Sequence, residues 1–110
     1  MKLDTETNRV RVGDRWWRFS EPIADAIQIV DRVFVIFDYM AFPAMAPAPN
    51  LRAYDLHQNE LWRAEHPINI PTSAYVHFLS ESPLTAWNFA CFQCVLDETT
   101  GALIEAHFTK

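Results

Sequence analysis

Two cysteines three residues apart are the first candidates for chemistry in this sequence. Cys91 and Cys94 form a C-x-x-C pair, and a redox pair of this kind places its first cysteine at a helix N-terminus, where the thiolate is stabilised. The apolar residues that follow favour the start of a strand instead, and residues three apart in a strand face opposite sides. A zinc site would need two more ligands, and the sequence has no second C-x-x-C. We therefore predict two reduced packing cysteines and no bound metal.

The other ionisable residues show no catalytic or metal-binding spacing. The four histidines are scattered, the acidic residues lack the pattern of a calcium loop, and two glycines cannot build a phosphate-binding loop. The G-x-S-x-G and H-E-x-x-H motifs are absent from the sequence. The sequence therefore predicts no catalytic residues and no cofactor, and it favours a non-enzymatic interaction module.

The apolar segment 38–49 is the best candidate for a binding site. Its three prolines exclude a helix or a central strand and predict a loop. Large apolar side chains on a loop are typical of interface cores, and prolines lower the entropy cost of ordering such a loop. These side chains are Tyr39, Met40, Phe42 and Met45. Either they bind a protein partner or a second copy in a homodimer, or the loop folds back and covers the core.

A second candidate site is a set of aromatic residues spread along the chain. Aromatic rings around a cleft can stack on a sugar or a base, which would make the protein a small-ligand-binding domain or an enzyme. The rings considered are Trp17, Trp62, Tyr75 and Trp87. Core packing accounts for these rings equally well because each aromatic side chain buries a large area, and we favour that interpretation.

Short β-strands must position all of these residues. Arg9–Val12 and Arg15–Phe19 flank a Gly-Asp turn and predict a hairpin, in which the adjacent Trp16 and Trp17 face opposite sides. Val33–Phe37 is wholly apolar and predicts a central strand buried on both faces. Residues 1–8 are polar and are expected to fray.

A recurrence in the second half of the chain predicts an internal repeat. Asp55 aligns with Asp97, Asn59 with Gly101 and Trp62 with Ile104, always 42 positions apart. Asn and Gly tolerate the left-handed backbone conformation best, and an Asp before such a turn can accept its amide hydrogen bonds. Extended backwards, the pattern predicts two four-stranded units at about 22–64 and 71–108, with segment 38–49 inserted in the first.

Two stretches of this repeat carry a resemblance to a known family. "Leu-x-Ala-Tyr-Asp-x5-Leu-Trp", beginning at Leu51, and "Leu-Asp-x-Thr-Thr-Gly", ending at Gly101, resemble the repeat of the quinoprotein-like (PQQ-type) β-propellers. The chain as a whole resembles small bacterial proteins of unknown function. The resemblance implies blades of four antiparallel strands. It implies no enzyme, because the quinone and calcium site of those proteins lies on the axis of a closed ring of blades, which two blades lack.

The expected fold is therefore one all-β domain over residues 1–110. It consists of two four-stranded antiparallel propeller-blade-like units and an N-terminal hairpin, packed as a small sandwich or a barrel-like sheet. Half of the residues are hydrophobic, which is typical of a globular chain.

Charge and hydropathy bear on partners and location. The net charge of −5 argues against a nucleic-acid partner. A cluster formed by Arg9, Arg11, Arg15 and Arg18 would place several arginines on one hairpin face, which we interpret as solvated. The sequence shows neither a signal peptide nor an apolar run long enough for a membrane span, so we expect a cytoplasmic protein.

Overall fold

A computed structural model describes residues 1–109, and its regular secondary structure is β-strand apart from one short 3₁₀ turn. The strands are β1 Thr5–Glu6, β2 Arg9–Val12, β3 Arg15–Arg18, β4 Ile23–Ile29, β5 Arg32–Phe37, β6 Leu51–Tyr54, β7 Glu60–Arg63, β8 Tyr75–Glu81, β9 Leu84–Asn88, β10 Phe92–Leu96 and β11 Leu103–Phe108. A single 3₁₀ turn spans Tyr39–Ala41. Among the described residues, no helix has the length and apolar character needed to cross a membrane.

The strands form three antiparallel sheets, each a meander of consecutive strands. We call them the N-terminal sheet (β1–β2–β3), the central sheet (β4–β5–β6–β7) and the C-terminal sheet (β8–β9–β10–β11). The prediction of an all-β fold with two four-stranded antiparallel units and an N-terminal hairpin is confirmed, with β1 added to the hairpin as a third strand. The sheets stay open and do not close into a barrel.

The central sheet is the middle layer because both of its faces are apolar. Phe34 and Ile36 of β5 point into a core shared with the C-terminal sheet. Val33, Val35 and Phe37 point into a second core shared with Val10 and Trp17 of the N-terminal sheet. All five β5 residues from Val33 to Phe37 are fully buried, as the apolar run predicted.

The N-terminal residues are ordered, in contrast to the prediction that residues 1–8 fray. Leu3 is buried in the second core, and its amide donates to the carbonyl of Ala26 at 3.0 Å. Lys2 forms an isolated antiparallel bridge with Ile27, which extends the central sheet beyond β4. Two contacts therefore hold this mostly polar segment. The Leu3 side chain is buried, and the backbone pairs with the otherwise open edge of the central sheet.

The two Asp-led turns share their hydrogen bonding but differ in length. Asp55 accepts the amides of His57 and Asn59 at 2.8 and 3.0 Å, and Asp97 accepts those of Thr99 and Thr100 at 2.7 and 3.2 Å. Hydrogen bonds from Asn59 and His57 hold the pKa of Asp55 below its ordinary value.

The left-handed residue of the first turn is Gln58, at φ 64°, and not Asn59 as predicted. In the second turn it is Gly101, at φ 77°. The connection between β10 and β11 is one residue longer than the connection between β6 and β7.

This extra residue moves the register of the repeat. Tyr54 pairs with Glu60 and Ala53 with Trp62, so Leu61 is bulged; in the second unit Ile104 is the bulged residue. Trp62 therefore corresponds to Glu105 in the pairing pattern. The constant offset had predicted Ile104 as its counterpart, and that prediction is wrong. The surroundings differ accordingly, since Trp62 is 8% exposed and Ile104 is 61% exposed.

Trp62 fastens the central sheet to the turn of the C-terminal sheet. Its indole N–H donates to the carbonyl of Glu98 at 2.9 Å, and the guanidinium of Arg32 donates to the same carbonyl at 2.8 Å. The indole ring lies so close to Gly101 that a Cβ there would be 2.4 Å from a ring carbon. A glycine is required at this point both for its positive φ and for the approach of the ring.

Candidate functional site

The insertion between β5 and β6 forms a short turn followed by an extended chain. Asp38 caps the 3₁₀ turn, because its Oδ1 accepts the amide of Met40 at 2.9 Å. The segment after the turn contains three prolines and forms no strand. The loop predicted for residues 38–49 is thus present, with one turn of 3₁₀ helix at its beginning.

Asn50 fixes the root of the insertion to the C-terminal sheet. Its fully buried amide nitrogen donates to the carbonyls of Phe37 and Tyr75 at 2.8 and 2.7 Å, and its side-chain oxygen accepts the Tyr75 amide at 3.0 Å. One side chain therefore satisfies three buried backbone groups, which would otherwise carry a desolvation cost. These bonds connect the two roots of the insertion to each other and to β8.

A second polar network holds Ala48, close to the carboxyl-terminal end of the insertion. The ring of His66 lies between the carbonyl of Ala48 and the hydroxyl of Ser73, each 2.7 Å from a ring nitrogen. Since a carbonyl can only accept, Nε2 carries the proton and Nδ1 accepts from Ser73. Asn88 donates to the Ser73 oxygen at 3.2 Å and so joins β9 to the network. Burial lowers the pKa of His66, which keeps the imidazole neutral in this role.

A cavity of about 330 Å³ lies next to the His66 network, with Ala48 in its wall. Its walls come from the insertion, from the segment that precedes β8 and from the turn after β9. The lining residues are Tyr39, Met40, Phe42, Pro43, Ala44, Ala46, Ala48, Pro71, Thr72, Ala74 and Phe89. The rings of Tyr39 and Phe89 lie 5.5 Å apart, so the cavity is closed on one side by a contact between the insertion and the turn after β9.

The four residues considered for partner binding divide between the wall and the rim. Tyr39, Met40 and Phe42 line the cavity, whereas Met45 projects outward between the lining residues Ala44 and Ala46. Met40 is 78% and Met45 is 87% exposed. Phe42 is half-buried and packs on the second core, where the guanidinium of Arg52 lies 5.4 Å from its ring. The insertion thus covers part of the core with Phe42 and presents both methionines to solvent.

The lining of the cavity is chemically uniform. Apart from the hydroxyl groups of Tyr39 and Thr72, the described lining side chains are apolar, and none is a carboxylate, imidazole, thiol or amine. Within residues 1–109, no three His, Cys, Asp or Glu side chains are grouped as metal ligands would be. Such a surface can hold an apolar group by burying it, at about 25 cal/mol per Å² of apolar area removed from water.

The four aromatic residues considered for ligand stacking lie in three different places. Trp62 and Tyr75 belong to the core between the central and C-terminal sheets, where the Tyr75 hydroxyl donates to the carbonyl of Glu65. Trp17 belongs to the second core, with its ring 6.4 Å from that of Tyr54. Trp87 is half-buried on the outer face of the C-terminal sheet, paired with His77 and Gln93.

The two cysteines are free and lie in different environments. Cys94 is buried in the core beside Tyr75, and burial raises its pKa to about 11, so the thiol stays protonated. Cys91 precedes β10 with a φ of 73°. The pair lies at the start of a strand, as the sequence indicated, with Cys91 before β10 and Cys94 within it.

Sequence reasoning missed the residues that build the cavity from outside the insertion. Asn50, His66 and Ser73 hold its walls, and Phe89 closes it. For His66 the sequence contained one signal, its position before Pro67. A residue before proline favours an extended backbone, which leaves both ring nitrogens of the side chain free to contact neighbouring segments. Phe89 gave no signal, because a single aromatic residue in a turn has no periodicity to read.

Comparison with known proteins identifies the family. The chain belongs to the family described as a domain of unknown function (DUF7957), whose model matches residues 1–108. Neither a curated protein nor a solved structure matches the chain.

Proposed function

We propose that the protein is a non-enzymatic interaction module that binds an apolar side chain of a protein partner in the cavity under the insertion. The observation that carries the proposal is the continuity of the apolar surface. It runs from the cavity wall over Met40 to Met45, which lies outside the cavity and is the more exposed of the two. A small molecule would fill the cavity alone, whereas a protein partner can cover both the cavity and its rim.

The size of the cavity and the hydrogen bonds that hold its walls support this occupant. About 330 Å³ lies at the lower end of the range for small-molecule pockets and suits one or two side chains. Asn50 ties the two roots of the insertion together through its bond to the Phe37 carbonyl, and His66 holds Ala48 next to the cavity. A preformed site loses little conformational entropy on binding, and Met and aromatic residues are enriched in the centres of protein interfaces.

A site-specific cross-linker tests the proposal. With p-benzoylphenylalanine at position 45, we expect a defined cross-linked partner in cells of the source organism. The same group at Val30, an equally exposed apolar position on the turn between β4 and β5, should give no such product. The purified partner should then bind the M40E/M45E variant at least about tenfold more weakly than the wild type, a loss of about 1.4 kcal/mol. The V30E variant should bind it unchanged.

The same experiment separates the alternatives. A cross-linked product of twice the chain mass, with light scattering that shows a dimer lost in M40E/M45E, identifies the partner as a second copy. Equal cross-linking from positions 30 and 45 would contradict the proposal. So would a small molecule retained in native mass spectra of both the wild type and M45E, because that result indicates a ligand that fills the cavity and ignores its rim.

A relation to the quinoprotein-like β-propellers and a cytoplasmic location belong to the same proposal. Both four-stranded sheets are meanders of consecutive strands with an Asp-led turn between the third and fourth strands, as in the repeat that the sequence resembles. An experimental structure whose sheets superpose on such blades no better than on unrelated meanders would contradict the relation. The two free cysteines suit a reducing compartment, and cell fractionation tests the location.

A further inference from the structure

The outer face of the N-terminal sheet is basic in an otherwise acidic molecule. Val10 and Trp17 point into the second core, so the alternate residues of β2 and β3 point away from it. These residues are Arg9, Arg11, Trp16 and Arg18, and we call them the arginine face. Residues 1–19 contain five basic and three acidic side chains, whereas residues 20–110 contain four and eleven.

Three of the four arginines of this hairpin have no carboxylate partner among the described residues. Arg9 pairs with Glu6 and lies 4.3 Å from the ring of Trp16. Within residues 1–109, Arg11, Arg15 and Arg18 form no ion pair. By contrast, Arg52 lies within 4.0 Å of Glu21 and Glu60. The hairpin therefore presents guanidinium groups whose charge the molecule itself leaves uncompensated.

A polar cavity lies beside the arginine face. It has a volume of about 290 Å³ and is lined by Arg15, Trp16, Trp17, Leu56, His57 and Gln58. The side chain of Gln58 donates to the carbonyl of Arg18 at 2.9 Å, which holds the β6–β7 turn against β3 and fixes the cavity. It combines a guanidinium, an imidazole and an exposed indole ring within one concave surface.

From this arrangement we propose that the arginine face and its adjacent cavity bind an acidic segment of a partner protein. Arginine, unlike lysine, presents a planar fork that matches a carboxylate, and all four basic residues of the hairpin are arginines. Arginine and tryptophan are also the residue types most enriched among the strongest contacts of protein interfaces. Trp16 is 37% exposed and offers an apolar contact between charged ones.

A nucleic acid fits this surface less well than an acidic protein segment. A phosphate backbone extends over many charges, and the eleven acidic side chains of residues 20–110 would repel the parts that pass beyond the hairpin. A short acidic segment needs only the arginine face.

The surface is also separate from the apolar cavity. The β6–β7 turn that lines it lies at the opposite end of β6 from the insertion, so the two sites can be tested independently.

Fluorescence anisotropy with a labelled decapeptide of glutamate measures this binding. At 50 mM salt we expect the glutamate decapeptide to bind the wild type saturably. A decapeptide of glutamine should show no binding. The R11Q/R18Q variant should bind the glutamate peptide at least about tenfold more weakly. W16A should also weaken it, by about fivefold. The matched control K2Q/R63Q removes two exposed basic side chains outside the arginine face and should change binding less than about twofold.

Each of the other outcomes overturns the proposal. Absence of saturable peptide binding would do so, as would equal weakening in K2Q/R63Q, which indicates attraction by bulk charge. The oligonucleotide dT10 provides the third arm. If dT10 binds more tightly than the glutamate peptide and R11Q/R18Q abolishes that binding, the surface recognises nucleic acid. All substituted side chains are solvent-facing, and circular dichroism at rising temperature establishes that each variant is folded.

Discussion

Two rows of side chains at equivalent places in the two four-stranded sheets have opposite character. Cross-strand pairing in the central sheet joins Ile27, Phe34, Ala53 and Trp62, which are all buried. The equivalent row in the C-terminal sheet joins Ser80, Thr85, Val95 and Glu105 on its outer face. The central sheet thus offers an apolar face to the next layer, whereas the C-terminal sheet ends the stack with a mostly polar one. Terminal units of stacked repeats need such a polar outer face.

The connections between the second and third strands also differ between the two four-stranded sheets. The central sheet uses the segment from Asp38 to Asn50, whereas the C-terminal sheet uses three residues after Asn88. Buried Asn50 ends the first connection, and buried Asn88 stands directly before the second. The side chain of each asparagine forms hydrogen bonds with backbone groups. The extra length in the central sheet forms the apolar cavity, so the site arises where the two four-stranded sheets differ.

The largest expected effect concerns Trp62 and its two possible counterparts. Trp62→Ala removes a buried indole from the inter-sheet core and should lower the free energy of unfolding by about 3–5 kcal/mol. Glu105→Ala and Ile104→Ala change exposed side chains and should stay within about 0.5 kcal/mol of the wild type. Urea denaturation followed by circular dichroism measures all three. If Ile104→Ala costs as much as Trp62→Ala, the register described for the second unit is incorrect.

The next effect distinguishes the two glycines with a positive φ. Gly101→Ala introduces a Cβ against the Trp62 ring in addition to backbone strain, and we expect a loss of about 2–4 kcal/mol. Gly13→Ala has the same strain at φ 64° but no atom within 4 Å of the new Cβ, so about 1 kcal/mol should be lost. Chemical denaturation of both variants provides the comparison. Equal losses would show that the indole ring does not rest on the glycine.

The smallest effect is the pH dependence caused by the network below the insertion. Burial lowers the pKa of His66 from its ordinary value of 6.5. The unfolded chain therefore takes up a proton near pH 6.5 while the folded chain does not. The contribution of neutral His66 to the free energy of unfolding is fully present above this pH. It is lost progressively as the pH falls below it.

Denaturation midpoints between pH 8 and pH 5 measure this loss against a matched variant. In His66→Gln, the amide can still donate to the Ala48 carbonyl and accept from Ser73, but it does not titrate. The midpoint of the variant should consequently fall less steeply between pH 7 and pH 5 than that of the wild type. Parallel curves would mean that other groups produce the pH dependence and that His66 is not held neutral.

Much of the fold was predictable from local pattern. The uninterrupted apolar run of β5 predicted a strand buried on both faces, because only a middle layer can cover it twice. The adjacent Trp16 and Trp17 predicted rings on opposite faces with one of them in the core, and Trp17 is the buried one. The prolines of segment 38–49 predicted a loop. For the candidate site, this meant that Tyr39, Met40 and Phe42 could be named but the opposite wall could not.

What the sequence determined alone was therefore the strands other than β1, their order and the position of the insertion, since backbone conformation and apolar periodicity depend on neighbours in the chain. Only the tertiary structure decided that Trp62 corresponds to Glu105, that Phe89 closes the cavity and that Asn50 and His66 hold it. The physical reason is the same in each instance. A one-residue change in a turn, or a hydrogen bond between distant segments, alters which side chains meet without altering the pattern of the strands themselves.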